Sequence, residues 1–190
     1  SDAQPWPRNV TTEDRGYLRE LAGDTWHYID SFISPTTGLP YDSNQAKDIT
    51  NTTNVGLYLT AVCMAYKMGL ITEDHALARV TKIMDNLDQI ENWHRLYNNW
   101  MDPEGINRAA KPGPNNISDY NKLPAGLVVV RQTLPQLAAR CTAFLDEIPW
   151  EVFHDKESDA MYYEFDIVEK TVNNPVYYFR GEDKILGHFL

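Results

Sequence analysis

"TNTTNVGLYLTAVCMAYKMGLITEDHALARV", Thr50 to Val80, holds the outline of a helical hairpin. From about Thr53 to Met68 the residues are apolar nearly all round, which predicts a helix packed on most of its sides. Gly69 suits the position after a helix end, and Thr72 offers a hydroxyl cap to the next start. From about Glu73 to Glu91, Leu77, Val80, Ile83, Met84, Leu87 and Ile90 recur on one side, the mark of an amphipathic helix. A buried helix joined by a short turn to an amphipathic one, and then repeated, builds an inner ring of enclosed helices and an outer ring facing water. The expected fold class is therefore all-α.

The flanks carry the same pattern. Residues 1–11, with prolines at Pro5 and Pro7, read as an extended lead-in to a single domain over 12–190. "TTED" gives a Thr-x-x-Asp start, and Leu18, Leu21, Trp26, Ile29 and Phe32 then keep helical spacing to Ile33. Two prolines and a glycine in "SPTTGLPYDSN" end that helix. A long loop rich in Asn, Pro and Gly is expected from Tyr97 to Lys122, and a further helix from Leu123 to Ile148, broken or kinked near Pro135. After it come a short helix and a hairpin-like excursion. The last residues, "KILGHFL", open a helical pattern with no stop signal. That implies a piece of a longer fold, or one that a second copy completes.

Composition narrows the function classes. A net charge of −10 with no basic run argues against nucleic acid and against an anionic membrane surface. The longest apolar runs fall far short of a membrane span, and no charged-then-apolar leader opens the chain. His27, His75, His94, His154 and His188 stand singly, so neither a metal site nor a cofactor is expected. Cys63 and Cys141 lie in apolar helical patterns and read as buried thiols.

Chemistry concentrates at helix edges. "TNTTNVG" places Asn54 at the mouth of the enclosed helix, where Thr52 or Thr53 also serves as a cap. "YNNWMD" gathers Tyr97, Trp100 and Asp102 where the chain turns. Aromatic faces beside amides and a carboxylate are what a sugar ring asks for, with its apolar C–H face and its rim of hydroxyls. "NNISDYNK" sets Asp119 before the next helix, and "YYFRGEDKIL" sets Glu182 near Tyr178 at another start. An acid in a first turn is also favoured by the helix dipole alone. Glycoside hydrolysis needs two carboxyls facing each other across the sugar, one of them protonated. A carboxyl packed on aromatic rings has its charged form desolvated, and Glu182 fits that description best.

These segments together resemble the glucoamylase-like domain family of bacterial secreted proteins, relatives of β-1,2-glucanases and of the domain attached to cyclic β-1,2-glucan synthases. "TNTTNVGLYL" is similar to the family's Thr-Ser-Pro-Thr-Asn-Ile-Gly-Leu-Tyr-Leu, and "LYNNWMD" to its Phe-Tyr-Asn-Trp-Tyr-Asp. "ISDYNKLPAGL" is similar to its Val-Asp-(Ser/Asn)-Gly-x-Leu-Ala-Ala-Gly-Leu, and "RGEDKIL" to its Thr-Glu-x-Arg segment. The four follow in the family's order from about Gly23 onward. The resemblance implies an (α/α)6 toroid, incomplete here, with a carbohydrate cleft. By position it implies Glu182 as general acid, Asp102 and Asp119 as acids of the cleft, and Asn54, Tyr97 and Trp100 as sugar contacts; Tyr178, beside Glu182, is a further candidate contact. It implies a secreted or periplasmic glycoside hydrolase or transglycosylase acting on a glucan, with β-1,2-linked glucan among the candidates.

This chain also departs from the family pattern. "NTT" replaces Ser-Pro-Thr, Asn121 and Lys122 follow Asp119, and Lys184 stands where the family has Arg. The family's opposing carboxylate belongs to the half of the toroid that a second chain or a missing C-terminal half would supply. A non-catalytic carbohydrate-binding or accessory domain therefore stays open beside the enzyme. So does a helical-hairpin array that uses "NNWMDPEG" against a protein partner.

Overall fold

The computed structural model describes residues 10–104, 109–111 and 113–173. The first helix, α1 (Thr12–Ser31), starts at a capping box. The Thr11 hydroxyl accepts from the Asp14 N–H, and the Asp14 carboxylate accepts from the Thr11 N–H in return. The enclosed helix, α2 (Thr52–Lys67), is capped by Asn51, whose side chain accepts from the Asn54 N–H at 2.9 Å. Neither threonine expected to cap it does so. A following turn with Gly69 at φ +68° leads to α3 (Glu73–Leu87), capped by Thr72 as its sequence implies. Ala76, Val80, Ile83, Met84 and Leu87 of α3 are buried.

The hairpin repeats once. A single turn, α4 (Ile117–Tyr120), precedes α5 (Lys122–Thr133), a 3-10 turn over Pro135–Leu137, and α6 (Ala138–Asp146). The segment from Leu123 to Ile148 is thus two helices, and the disturbance expected near Pro135 is a break rather than a kink. Pro135 has no N–H to give the preceding turn and pushes Leu134 out of the helical region, to φ −123° and ψ 85°. That break lets α6 fold back against α5.

The inner helices meet backbone to backbone. A Cβ on Gly56 of α2 would lie 2.0 Å from the Lys122 carbonyl oxygen, and one on Gly126 of α5 would lie 2.5 Å from the Gly56 oxygen. Both contacts fall near helix starts, so α2 and α5 begin side by side. Outside them, Arg140 of α6 bridges Asp85 and Asp88 of α3 and its end at 2.7 and 2.6 Å. Helix α1 is fastened differently. Its Trp26 ring stacks on Tyr58, and its Asp30 takes both the Tyr58 hydroxyl at 2.9 Å and a two-pronged contact from Arg79.

The all-α expectation needs one amendment, because the connections carry short antiparallel ribbons. Strands β1 (Asn92–Trp93) and β2 (Leu96–Tyr97) pair, as do β3 (Trp100–Met101) and β4 (Ala109–Lys111). Later come β5 (Asn115–Asn116), β6 (His154–Asp155), β7 (Ala160–Met161), β8 (Glu164–Asp166) and β9 (Thr171–Asn173). Of these, β6 pairs with β7, and β5, β8 and β9 form a three-stranded sheet in that order. Two-residue strands lie below what periodicity registers, so the Asn-rich region read simply as loop.

Two outcomes are expected of this packing. Gly56→Ala should destabilise the fold by roughly 3 kcal/mol or more in urea unfolding, since backbone rather than a flexible side chain blocks the new methyl. Gly23→Ala, with nothing within 4 Å of its Cβ, should gain about 0.5–1 kcal/mol. The Asp30 carboxyl gives a pH signature. Burial works to raise its pKa, but hydrogen bonds from Arg79 and Tyr58 and the nearby positive charge outweigh burial and hold it below the ordinary 3.8. The stability it contributes is present above about pH 4 and lost as pH falls through the depressed value. Asp30→Asn should flatten that part of an acid unfolding curve.

Candidate functional site

Helix starts determine where the polar side chains gather. Because Gly56 and Gly126 bring the first turns of α2 and α5 together, the residues before each helix share one end of the molecule. The Thr53 hydroxyl of α2 donates to the Asp119 carbonyl at 3.0 Å and to its carboxylate at 3.2 Å. From the other side, the Asn116 amide donates to the second Asp119 oxygen at 2.8 Å, while the Asn116 oxygen caps α4 by accepting from the Asp119 N–H. Both carboxylate oxygens of Asp119 are therefore accepting from side chains, and its geometry is that of a positioned acceptor.

The loop around Trp100 arrives at the same end through a two-way backbone bridge. Thr50 and Met101 each donate an N–H to the other's carbonyl at 2.9 Å. This brings "YNNWMD" against the start of α2 across about fifty residues of sequence, which no local pattern reveals. Asp102 is buried and accepts from the Glu104 N–H at 2.9 Å. Trp100 is half-buried on β3. Three buried polar atoms at this junction, the hydroxyls of Thr50 and Thr52 and the side-chain oxygen of Asn99, have no hydrogen-bond partner among the described residues.

Asn54 turns its amide the other way, donating to Asp42 at 3.0 Å. Together they edge a cavity of about 250 Å3 between α1, α2 and the loop between them, with Tyr28, Phe32 and Tyr41 supplying aromatic walls. The Lys47 ammonium stands about 6 Å from the rings of Phe32 and Tyr41. Tyr41 in turn donates to Glu104 at 2.5 Å. That hydrogen bond raises the Tyr41 pKa and lowers that of Glu104. The loop at residues 34–42 is thereby tied to the Trp100 loop, a link that the Thr37 hydroxyl reinforces by donating to the Pro103 carbonyl.

The structure thus joins Asp119 to Thr53 in the first turn of α2 and sets the Trp100–Asp102 segment beside that helix start, while Asn54 turns to Asp42 and Tyr97 is buried in the core. The Tyr97 ring is fully buried, lies nearly parallel to Phe144 at 6.4 Å, and its hydroxyl donates to the Leu87 carbonyl. Such a ring has no face to offer a ligand, and burial pushes its phenol pKa well above the usual value. Strand β2 is enclosed on both sides, so Leu96 and Tyr97 are both buried, whereas Trp100 on β3 is half-buried. Glu182 and Tyr178 lie outside the described residues. Sequence reasoning passed over Tyr41, Asp42 and Thr53. The first two sit in "SPTTGLPYDSN", where the proline and glycine signals hid a Tyr-Asp pair. Thr53 was read only as a cap. Among the described residues no group of three or more His, Cys, Asp or Glu is arranged to hold a metal, and no helix is long and apolar enough to cross a membrane.

Comparison with known proteins agrees with this architecture. The model of the family described as "Protein of unknown function (DUF3131)" matches residues 20–165. The cyclic β-(1,2)-glucan synthase NdvB of Rhizobium meliloti (strain 1021) is 26% identical over 128 residues, covering 64% of this chain and 4% of the synthase. Among solved structures, an endo-β-1,2-glucanase from Chitinophaga pinensis, in complex with sophorotriose and glucose, superposes with a TM-score of 0.72 at 17% identity. That match covers 92% of this chain and 46% of the glucanase. A β-1,2-glucanase from Parabacteroides distasonis gives 0.70 at 18% identity, covering 90% of this chain and 26% of the enzyme. Other structural neighbours are glucoamylase-like. The chain therefore spans less than half the length of each of these proteins and shares its fold with part of them.

One double-mutant cycle tests the arrangement around Asp119. Asn116→Ala should cost about 1 kcal/mol through loss of the cap. Thr53→Val should cost a similar or smaller amount, and the pair should be non-additive by about 0.5 kcal/mol or more in urea unfolding, since both hold one carboxylate.

Proposed function

We propose, from the premise that this chain belongs to the DUF3131 family, that it contributes one side of a carbohydrate cleft and acts on a glucan as a glycoside hydrolase or transglycosylase. The observation that carries the reading is the meeting of the Thr53–Asp119 contact and the Trp100–Asp102 segment at the starts of paired helices, with Asn54 on the edge of a cavity walled by aromatic rings. Amides and carboxylates suit sugar hydroxyls, and the rings suit the C–H faces.

In this reading Glu182 is the general acid, a role that rests on the family resemblance alone. Asp119, accepting from Thr53 and Asn116, orients the cleft wall and receives sugar hydroxyls. Asp102 shapes the floor beside Trp100, Tyr178 joins the sugar contacts, and Tyr97 acts from below as core. The carboxylate opposite Glu182 comes from polypeptide outside the described residues, so that two carboxyls flank the scissile bond. Completion of the ring to an (α/α)6 toroid belongs to the same proposal, as does a secreted or periplasmic location. A β-1,2-linked glucan is the first substrate to try, because β-1,2-glucan appears in the names of the relatives that share the fold. A non-catalytic binding domain is the second reading. It is favoured by Asp119, whose oxygens are both already engaged.

Sugar release from a panel of glucans tests both. Release that falls at least ~100-fold in Glu182→Gln, with glucan binding retained, is expected of the enzyme. Wild-type rates from that variant would sink the acid assignment. Binding without release from either protein would favour the second reading. Asn54→Ala should weaken glucan binding by up to about tenfold by calorimetry, the worth of one hydrogen bond, and unchanged affinity would remove Asn54 from the cleft.

A further inference from the structure

Each oxygen of the Asp119 carboxylate already accepts from a neighbour, one from Thr53 and the other from Asn116. A wall that reads several sugar hydroxyls needs a further acceptor. The three-stranded sheet supplies one. In the register of β5, β8 and β9, Asn116 stands opposite Glu164, and Glu164 stands opposite Asn173. Directly opposed residues of an antiparallel pair project to the same face, with Cβ atoms about 4.5–5.5 Å apart. The neighbouring row, Asn115, Phe165 and Val172, takes the other face. Asn115 and Phe165 are buried on it, against the core. The first face therefore carries a polar row in which a carboxylate is flanked by two amides.

Asn116 ties this row to Asp119. Its amide donates to the Asp119 carboxylate at 2.8 Å, and its oxygen accepts from the Asp119 N–H at 2.8 Å. The pairing also runs on into the helix start, where the Ile117 N–H donates to the Tyr163 carbonyl at 2.9 Å. Glu164 is thereby fixed beside the single turn of α4 that carries Asp119. It is half-buried, and its carboxylate takes part in no hydrogen bond or ion pair among the described residues. The signal that singles out Glu182, an acid close behind tyrosines, occurs again in "YYEF", where Glu164 follows Tyr162 and Tyr163.

We infer that Glu164 is a substrate-contact residue of the cleft, the carboxylate that accepts hydroxyls of a glucan unit seated beside Asp119. The inference rests on the carbohydrate reading above and adds to it a residue outside the four family-like segments. The two acids divide the work on chemical grounds. Asp119, held from two sides, orients the wall. Glu164 has both oxygens open, and a carboxylate in that state suits two adjacent hydroxyls of one pyranose ring. A half-buried carboxylate without donors is costly, and the ligand's hydroxyls offset that cost.

Calorimetric titration of the whole chain with linear oligosaccharides from the same panel of glucans, β-1,2-linked among them, tests the assignment. Glu164→Gln keeps the shape of the side chain and removes its charge. Its circular dichroism and urea midpoint should match the parent, while affinity falls by about fivefold or more. Glu164→Ala, which removes both acceptors, should lose about tenfold or more. Glu169→Gln removes the same charge at the turn between β8 and β9 and should bind as the parent does. If the parent binds and both Glu164 variants bind as tightly, the inference is overturned and the carbohydrate reading stands. A parent that binds none of the oligosaccharides would overturn both.

Discussion

The contact on which the rest depends is the one between two glycines. Gly56 and Gly126 let α2 and α5 approach until backbone touches backbone, closer than any side chain permits. Helix–helix distances are ordinarily set by the side chains between them, at about 8–10 Å. Here the absence of a Cβ on each helix sets the distance, and it does so at the helix starts. The first turns are thereby fixed side by side, and Thr53 reaches Asp119 with a hydrogen bond rather than across a gap. A methyl group at Gly56 would separate those starts and pull the polar end of the molecule apart.

A second constraint keeps the outer elements in register. Arg95, in the left-handed region at φ 67°, forms the tip of the β1–β2 hairpin and lays its guanidinium over the Phe144 ring at 4.6 Å. It pairs with Asp88 at 2.5 Å and Glu147 at 2.7 Å, and its carbonyl accepts the Tyr120 hydroxyl. One residue thus joins the end of α3, the end of α6 and the single turn of α4. The planar fork of arginine is suited to that task, where a lysine would offer only a point charge. The Trp100 loop begins three residues beyond the hairpin tip at Asn98, so its position follows from this anchor as well as from the Thr50–Met101 bridge.

Several site residues proved to have roles that their neighbours decide. Thr53 reads as a helix cap because threonine before an apolar run usually is one. Asn51 takes the cap instead, and the freed hydroxyl serves Asp119. Tyr97 and Trp100 read alike as aromatic faces, yet one is sealed against Phe144 and the other is half-open. Sequence gives the residue type, and a short strand decides which side it faces. The Asp42–Asn54 pair escaped notice for a different reason. Its members lie twelve residues apart across a loop, where no helical or strand period relates them.

By itself the sequence determined the long helices α1, α2 and α3, their order and their starts, because caps, glycine stops and the 3.6-residue period are local. It also indicated the helical-hairpin arrangement, since an enclosed helix followed by an amphipathic one has few other ways to bury its surface. The break at Pro135 was legible as a disturbance, though its conversion into two helices depended on α6 finding α5. Only the tertiary structure decided which polar residues meet. Asp119, Thr53 and Asn116 share one carboxylate, and Trp100 stands beside the start of α2, because a glycine contact and a two-residue backbone bridge bring distant segments together. Those contacts join residues some fifty to seventy positions apart, and periodicity carries no information over such separations.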